Sequence, residues 1–269
     1  AASQDVLVTF PHNASGTTPD PTHQARGDEI GTTWGLAYQR RSQSLFAAAL
    51  LRRHSGFGPN TGTGRVTGVI YRLDLTGGSP PAPFANIDGL GGVDTGNVPT
   101  NRNLPADMNT PSNDPNSWAA AAKIAFGDMD ISSDEQSLWV MSLNDQTLYR
   151  VNIGFPPTAP TAGDITGFPI VPLPGGATAC PNSDIRPWAV QAQDALVYVG
   201  VVCSAESTQN VNDLRAYILS LDPANSGAGF SLVFEFSLNF PRGNVFQSVA
   251  NEQYSANWRP WAPQMTTVF

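Results

Sequence analysis

The sequence is poor in positive charge and lacks long apolar runs, and each shortage excludes a class of partner. Charged residues make up 13% of the 269 residues, a single lysine accompanies the arginines, and the formal net charge is −8. Nucleic acids and anionic membrane surfaces attract basic proteins, so neither is an expected partner. No stretch approaches the roughly 18–20 apolar residues of a membrane span. The chain opens without Met and without a visible signal peptide, which suits a processed or truncated start.

Residues and motifs that commonly carry catalysis are also scarce. The three histidines, His12, His23 and His54, are not in a metal-binding spacing such as His-x-x-x-His. The sequence contains no Gly-x-Ser-x-Gly elbow and no phosphate-binding Gly-x-x-x-x-Gly-Lys loop. These shortages favour a protein that is not an enzyme.

A strand-rich unit that recurs along the chain is the strongest positive signal. Its clearest part is a hexad of alternating large apolar and polar residues around Tyr71, Tyr149 and Tyr217. This alternation is the period of a strand with one buried face. A second matched strand precedes each hexad, beginning near Ser44, Ser137 and Ala195. Repeated four-stranded units predict an all-β, β-propeller-like fold of antiparallel blades with long loop insertions.

The repeat divides the chain into three blades and part of a fourth. The units span residues 34–88, 127–173 and 186–238, with a fragment at 258–269, all within one domain over 1–269. The fragment is identified by Arg259-Pro260-Trp261, which repeats Arg186-Pro187-Trp188. Because propellers have about four to eight blades, either further sequence or another chain completes the ring. A β-sandwich or another stacking of sheets is the alternative architecture.

Long loops concentrate on one face of the predicted blades. The longest cover residues 52–68, 89–126 and 239–257, and loops on a rigid scaffold commonly carry binding residues. We expect a protein partner, self-assembly or a surface glycan to contact this face. Arginine and aromatic residues are enriched at interface hot spots. The candidates are Arg52, Arg53, His54, Phe57, Arg102, Trp118 and Arg242.

A plainer interpretation of the same loops is that they only cover the blades. Arg52, Arg53 and His54 would then form a loop base held by hydrogen bonds. Trp118 would be a core residue of a short helix over residues 118–124, where the sequence is rich in alanine.

One acidic segment offers oxygen ligands of the kind that calcium prefers. Asp128 and Asp130 lie on the same face of a predicted strand, and Asp134 follows in the next turn. A structural turn is the alternative role. The only enzyme hypothesis that remains is a metal-dependent propeller hydrolase of the lactonase type. It would need carboxylates from several innermost strands, and only the second unit has an acidic one.

Two cysteines point to the cell exterior, and a three-residue glycosylation motif, of a kind that often arises by chance, lies near the N-terminus. Antiparallel pairing of the first two strands of the third unit brings Cys180 near Cys203, so a disulfide and a pair of buried free thiols are both consistent with the sequence. Low lysine content and long polar loops favour the disulfide and an extracellular or cell-surface location. Asn13-Ala14-Ser15 also fits the N-glycosylation sequon.

Three runs carry a resemblance to a known group. They are Trp-Gly-Leu-Ala-Tyr from Trp34, Arg-His-Ser-Gly-Phe-Gly-Pro from Arg53, and Gly-Asp-Met-Asp-Ile-Ser from Gly127. They resemble the propeller-like N-terminal region of large secreted or surface-anchored bacterial proteins, over residues 34–261. In that group serine-aspartate-repeat-type or other immunoglobulin-like domains often follow. The resemblance implies a structural or adhesive scaffold and offers no catalytic signature.

Overall fold

Antiparallel β-sheets dominate the computed structural model, which describes residues 3–107, 109–247 and 252–262. Twelve strands form three consecutive four-stranded sheets, and in each sheet the strands pair in chain order. The all-β, β-propeller-like prediction is therefore confirmed, and the three sheets lie within residues 33–86, 126–169 and 185–237.

The strand boundaries follow the alternating apolar pattern closely. Before the first sheet, β1 (Asp5–Thr9) and β2 (Thr22–Arg26) form a hairpin, and α1 (Gly27–Ile30) follows it. Sheet 1 contains β3 (Thr33–Gln39), β4 (Ser44–Ala49), β5 (Val69–Asp74) and β6 (Ala82–Asn86). Sheet 2 contains β7 (Phe126–Ile131), β8 (Ser137–Ser142), β9 (Thr147–Asn152) and β10 (Ile165–Pro169). Sheet 3 contains β11 (Ile185–Gln193), β12 (Leu196–Cys203), β13 (Arg215–Leu221) and β14 (Phe230–Ser237). A second hairpin, β15 (Asn244–Gln247) with β16 (Glu252–Ser255), follows.

Three apolar layers hold the sheets together, and a tyrosine of the third strand marks each layer. Tyr217 lies in the layer between sheets 2 and 3, and Tyr149 lies in the layer between sheets 1 and 2. Tyr71 packs with Ile30 and Ala25, which come from the hairpin β1–β2 and helix α1. We call these three elements, β1, β2 and α1, the N-terminal cap, because they occupy the place that a preceding sheet would take. All three tyrosines are buried, as their matched sequence positions predict.

The innermost strands of the three sheets run side by side, and two glycines permit their close approach. A Cβ on Gly35 of β3 would lie 2.5 Å from the backbone nitrogen of Met129 on β7. A Cβ on Gly127 would lie 2.9 Å from the carbonyl oxygen of Trp188 on β11. Trp34 and Trp188 meet edge to face with ring centroids 5.7 Å apart. Backbone sterics at these positions thus determine how tightly the sheets converge.

Two expectations need correction. The predicted helix over residues 118–124 does not form, since a 3₁₀ helix at Pro115–Ser117 is followed by turns and Ala122 has a φ of 61°. The predicted fourth-unit strand near Trp258 is absent from the described part of the fragment, where residues 258–262 are irregular. Residues 263–269 lie outside the described residues. None of the helices in the described ranges is long and apolar enough to cross a membrane.

Candidate functional site

A buried ion pair lies at the centre of the long loops. Arg102 Nη2 lies 2.7 Å from Asp114 Oδ2, and both side chains are almost fully buried. Arg102 also donates to the carbonyl oxygens of Arg52 and Ser55, at 2.9 Å each. Burial opposes ionisation of Asp114, but hydrogen bonds from Arg102, Ser117 and the His54 N–H outweigh it and lower the pKa of this carboxyl. The pair therefore joins the loop after β4 to the loop after β6.

Several predicted binding residues form the base of this loop cluster instead of an open surface. Arg102 is buried, so it does not have the exposure that an interface residue requires. Arg53 Nε donates to the Asp114 carbonyl, and the His54 N–H donates to the Asp114 carboxylate. His54 Nδ1 also lies 2.7 Å from Ser112 Oγ. The hydrogen-bonded loop base, the plainer of the two interpretations, describes these contacts.

Trp118 connects the loop cluster to the segment that follows sheet 3. The Arg53 guanidinium lies over the Trp118 ring at 5.1 Å, and Trp118 stacks on Trp261 with centroids 5.5 Å apart. Trp118 Nε1 donates to the Ala262 carbonyl at 2.7 Å. The two remaining candidates lie elsewhere: Phe57 packs against the N-terminal cap, and Arg242 lies over Trp258.

One face of sheet 3 is apolar and open, and sequence reasoning missed it. We call it the outer face of sheet 3; its apolar residues are Val202, Ala216, Ile218, Phe234 and Phe236. Phe234 and Phe236 are 58% and 39% exposed, and Val202 and Ile218 are 37% and 36% exposed. A signal was present in β13, because its adjacent apolar residues Ile218 and Leu219 project to opposite faces, as is typical of a strand covered on both sides.

Strand register shows that the equivalent positions in the other sheets are covered. In each sheet, the backbone N–H of the residue that follows the second strand donates to the carbonyl oxygen of the residue that precedes the first strand. These donors are Leu50, Leu143 and Ser204, so the three residues occupy equivalent positions in sheets 1, 2 and 3. The residue two positions before each donor pairs across the third and fourth strands of its sheet, which gives one equivalent cross-strand row in each sheet. The rows are Ala48–Ile70–Ala85, Met141–Leu148–Phe168 and Val202–Ala216–Phe236. The next sheet along the chain buries the first two rows.

An open, mostly apolar cavity of about 630 Å³ lies where residues 258–262 cross this outer face. Phe236, Leu238 and three tryptophans, Trp118, Trp258 and Trp261, line it. The Trp261 N–H donates to the Ser204 carbonyl at 3.0 Å, which fixes the segment at the end of β12. The buried Trp261 Nε1 has no hydrogen-bond partner within the described residues.

The three candidate calcium ligands are engaged in separate hydrogen bonds. Asp128 and Asp130 accept from the N–H groups of Val190 and Ala192 on β11, so they join sheet 2 to sheet 3. Asp134 instead accepts from Ser132 Oγ and the Gln136 N–H within the turn, and the Ser132 bond is the main cause of its lowered pKa. Among the described residues, no three His, Cys, Asp or Glu side chains are arranged to hold a metal ion.

The predicted disulfide is confirmed. Cys180, just before β11, is bonded to Cys203 at the end of β12, with Cα atoms 5.6 Å apart. Cys203 is fully buried in the layer between sheets 2 and 3.

Comparison with known proteins gives two sequence relatives and a weak structural likeness. No protein-family model matches the chain. Colossin-A of Dictyostelium discoideum is 26% identical over 262 residues, which is 96% of this chain and 2% of Colossin-A. Colossin-D of the same organism is 27% identical over 254 residues, which is 90% of this chain and 24% of Colossin-D. The chain thus matches only a small part of either relative.

The solved structure of a periplasmic gluconolactonase from Pseudomonas aeruginosa aligns with 88% of this chain and with 80% of the gluconolactonase chain, at 14% sequence identity. Its TM-score of 0.26 is too low to support an argument.

Proposed function

We propose that this protein is a non-catalytic structural or adhesive scaffold at the cell exterior, and that it contacts other protein through the outer face of sheet 3. The observation that carries the proposal is the row Val202–Ala216–Phe236, which residues 258–262 cover only in part, whereas its equivalents in sheets 1 and 2 are buried by a following sheet. Contiguous exposed apolar surface commonly marks a protein interaction site.

The occupant that this face fits best is a further β-sheet of the same repeat. Its apolar row is equivalent to the rows of sheets 1 and 2 that pack against sheets 2 and 3, respectively. The Trp261 N–H on the Ser204 carbonyl brings the Arg259-Pro260-Trp261 repeat beside the second strand of sheet 3. This position suits the start of a fourth unit, so the three-blade domain with a fourth-unit fragment stays part of the proposal.

An extracellular location is supported by chemistry. Disulfides persist mainly in oxidising compartments, and this one is buried beside a core layer. The small share of both relatives that the chain spans is compatible with a module of a longer protein. A bacterial source with serine-aspartate-repeat-type or immunoglobulin-like domains remains a prediction. Contact with a protein or surface glycan through the loops also remains one, with Arg52, His54 and Arg242 as its exposed candidates.

Paired surface variants test the proposed contact. Phe234→Ser with Phe236→Ser removes aromatic surface from the outer face of sheet 3. Phe155→Ser with Val211→Ser removes exposed apolar surface that is not part of this face and serves as the matched control. We expect the unmodified chain to self-associate in light scattering and to bind an apolar dye, and only the phenylalanine variant to lose both properties. A chain that stays monomeric and dye-free at high concentration would contradict the proposed contact.

Location is tested separately in source cells. Antibody labelling of intact cells and alkylation of free thiols should show a surface or secreted protein without reactive cysteine. A cytosolic protein with two free thiols would contradict the extracellular assignment. No specific observation favours the metal-dependent hydrolase, because Asp128 and Asp130 already bind backbone N–H groups of β11.

A further inference from the structure

The loop between β1 and β2 holds a motif that none of the contacts above explains. Asn13-Ala14-Ser15 is the only Asn-x-Ser/Thr triplet with a non-proline centre in the sequence. Asn13 and Ser15 are both exposed, and a turn with the Ala14 N–H on the Pro11 carbonyl, at 2.9 Å, presents them. The Asn13 side chain makes no hydrogen bond to any described residue. We propose that Asn13 carries an N-linked glycan.

The geometry meets the chemical requirements of the transfer. The acceptor amide must reach an enzyme active site with the hydroxyl two residues further on, so both side chains must project from the fold. Both do so here, in a loop outside the sheets. In the transfer, Asn13 Nδ2 attacks C1 of a lipid-diphosphate-linked oligosaccharide. The C–N bond forms, the C1–O bond to the diphosphate breaks, and the amide proton leaves to a base of the transferase.

The compartment is consistent with this modification. The proposal rests on the proposed extracellular function, because this glycan is added in the same oxidising lumen in which disulfides form. The Cys180–Cys203 bond indicates passage through such a compartment. The sequon lies in the loop between β1 and β2 and the disulfide lies at sheet 3, so they are independent observations.

A glycan at Asn13 would also cover apolar surface. Phe10, three residues earlier, is 64% exposed, and Val6 and Val8 of the same hairpin are exposed as well. The C–H face of a pyranose packs well on an aromatic ring, and Phe10 is an exposed ring in the same hairpin as the proposed glycan. The N-terminal cap would then be shielded from association through these side chains.

The experiment is secretion of the full chain from a eukaryotic host, followed by enzymatic removal of N-glycans. We expect one step in mass that the enzyme removes from the unmodified chain and from Ser15→Thr, which keeps the sequon. Asn13→Gln and Ser15→Ala should lack the step. Asn60→Gln, at an exposed asparagine outside any sequon, should retain it. Asn13→Gln should also bind more apolar dye, and Phe10→Ser should cancel that increase.

The outcomes separate this proposal from the one on which it rests. A secreted, disulfide-bonded chain without the mass step would overturn the glycan and leave the extracellular function standing. A retained chain with two free thiols and no glycan would overturn both. A glycan whose loss leaves dye binding unchanged would overturn the covering of Phe10.

Discussion

The two ends of the sheet stack differ in what covers them. At the first end, the N-terminal cap buries Ala47, Val69 and Tyr71 of sheet 1 completely. At the last end, Ile218, Phe234 and Phe236 of sheet 3 stay partly exposed, and the segment around Trp261 crosses part of the face. Both ends carry the same repeat, so the difference arises from the neighbouring chain segments. A repeated sheet provides an apolar face, and non-repeated sequence decides whether that face is covered.

The sharpest test of this comparison places the same substitution at both ends. Ile30→Ala at the capped end should lower the free energy of unfolding by about 2–5 kcal/mol, because it leaves a cavity at a fully buried site. Ile218→Ala on the outer face should cost less than about 1 kcal/mol, since its side chain is already partly in water. Urea unfolding of both variants measures the difference. Equal losses would mean that the outer face is covered in solution.

Removal of the disulfide tests how far the open end depends on a covalent link. Cys180→Ser with Cys203→Ser should lower stability by about 3 kcal/mol, because the bond closes a loop between residues 23 positions apart. The measurement is thermal unfolding of the variant beside the oxidised and reduced unmodified chain. Reduced protein and the double variant should agree. A variant as stable as the oxidised chain would show that core packing alone holds the start of β11 to β12.

The stability at acidic pH tests the contribution of Asp88, in the loop after β6 of sheet 1. Burial opposes ionisation of Asp88, but hydrogen bonds from Arg65 and Thr95 outweigh it and lower its pKa to about 2. The folded-state pKa lies below the unfolded one, so this stabilisation is present above about pH 4 and is lost as the pH falls towards 2. The loss should be about 2 kcal/mol. Asp88→Asn should flatten the pH dependence of unfolding in this window. Asp20→Asn, an exposed control, should leave it unchanged.

The strands could be predicted because alternation is a local property. The hexads around Tyr71, Tyr149 and Tyr217 each have one buried face, and the matching strands form within one or two residues of expectation. β14 shows the limit of that logic. Ile218 pairs with Phe234 while Leu219 pairs with Leu232, so a bulge at Val233 moves Phe234 to the opposite face from Leu232. Strict alternation along β14 without the bulge would place Phe230, Leu232, Phe234 and Phe236 on one face.

The loop contacts could not be predicted, because they depend on residues far apart in the chain. Arg102 has the side chain of an interface residue, but Asp114 and the carbonyl oxygens of Arg52 and Ser55 surround it. Trp118 similarly finds Trp261, more than a hundred residues later. No periodic sequence pattern, of the kind that predicts strands, links Arg102 or Trp118 to these partners. The disulfide was predictable because antiparallel pairing of two neighbouring strands is itself local.

The missing side chain of Gly35 has a mechanical consequence for the rest of the molecule. A methyl group there would meet the Met129 backbone at 2.5 Å and would wedge β3 away from β7. Because β3 and β7 are in direct contact, such a displacement would change how sheet 2 packs on sheet 1. The absence of a Cβ at Gly35 therefore sets the spacing between the innermost strands of sheets 1 and 2.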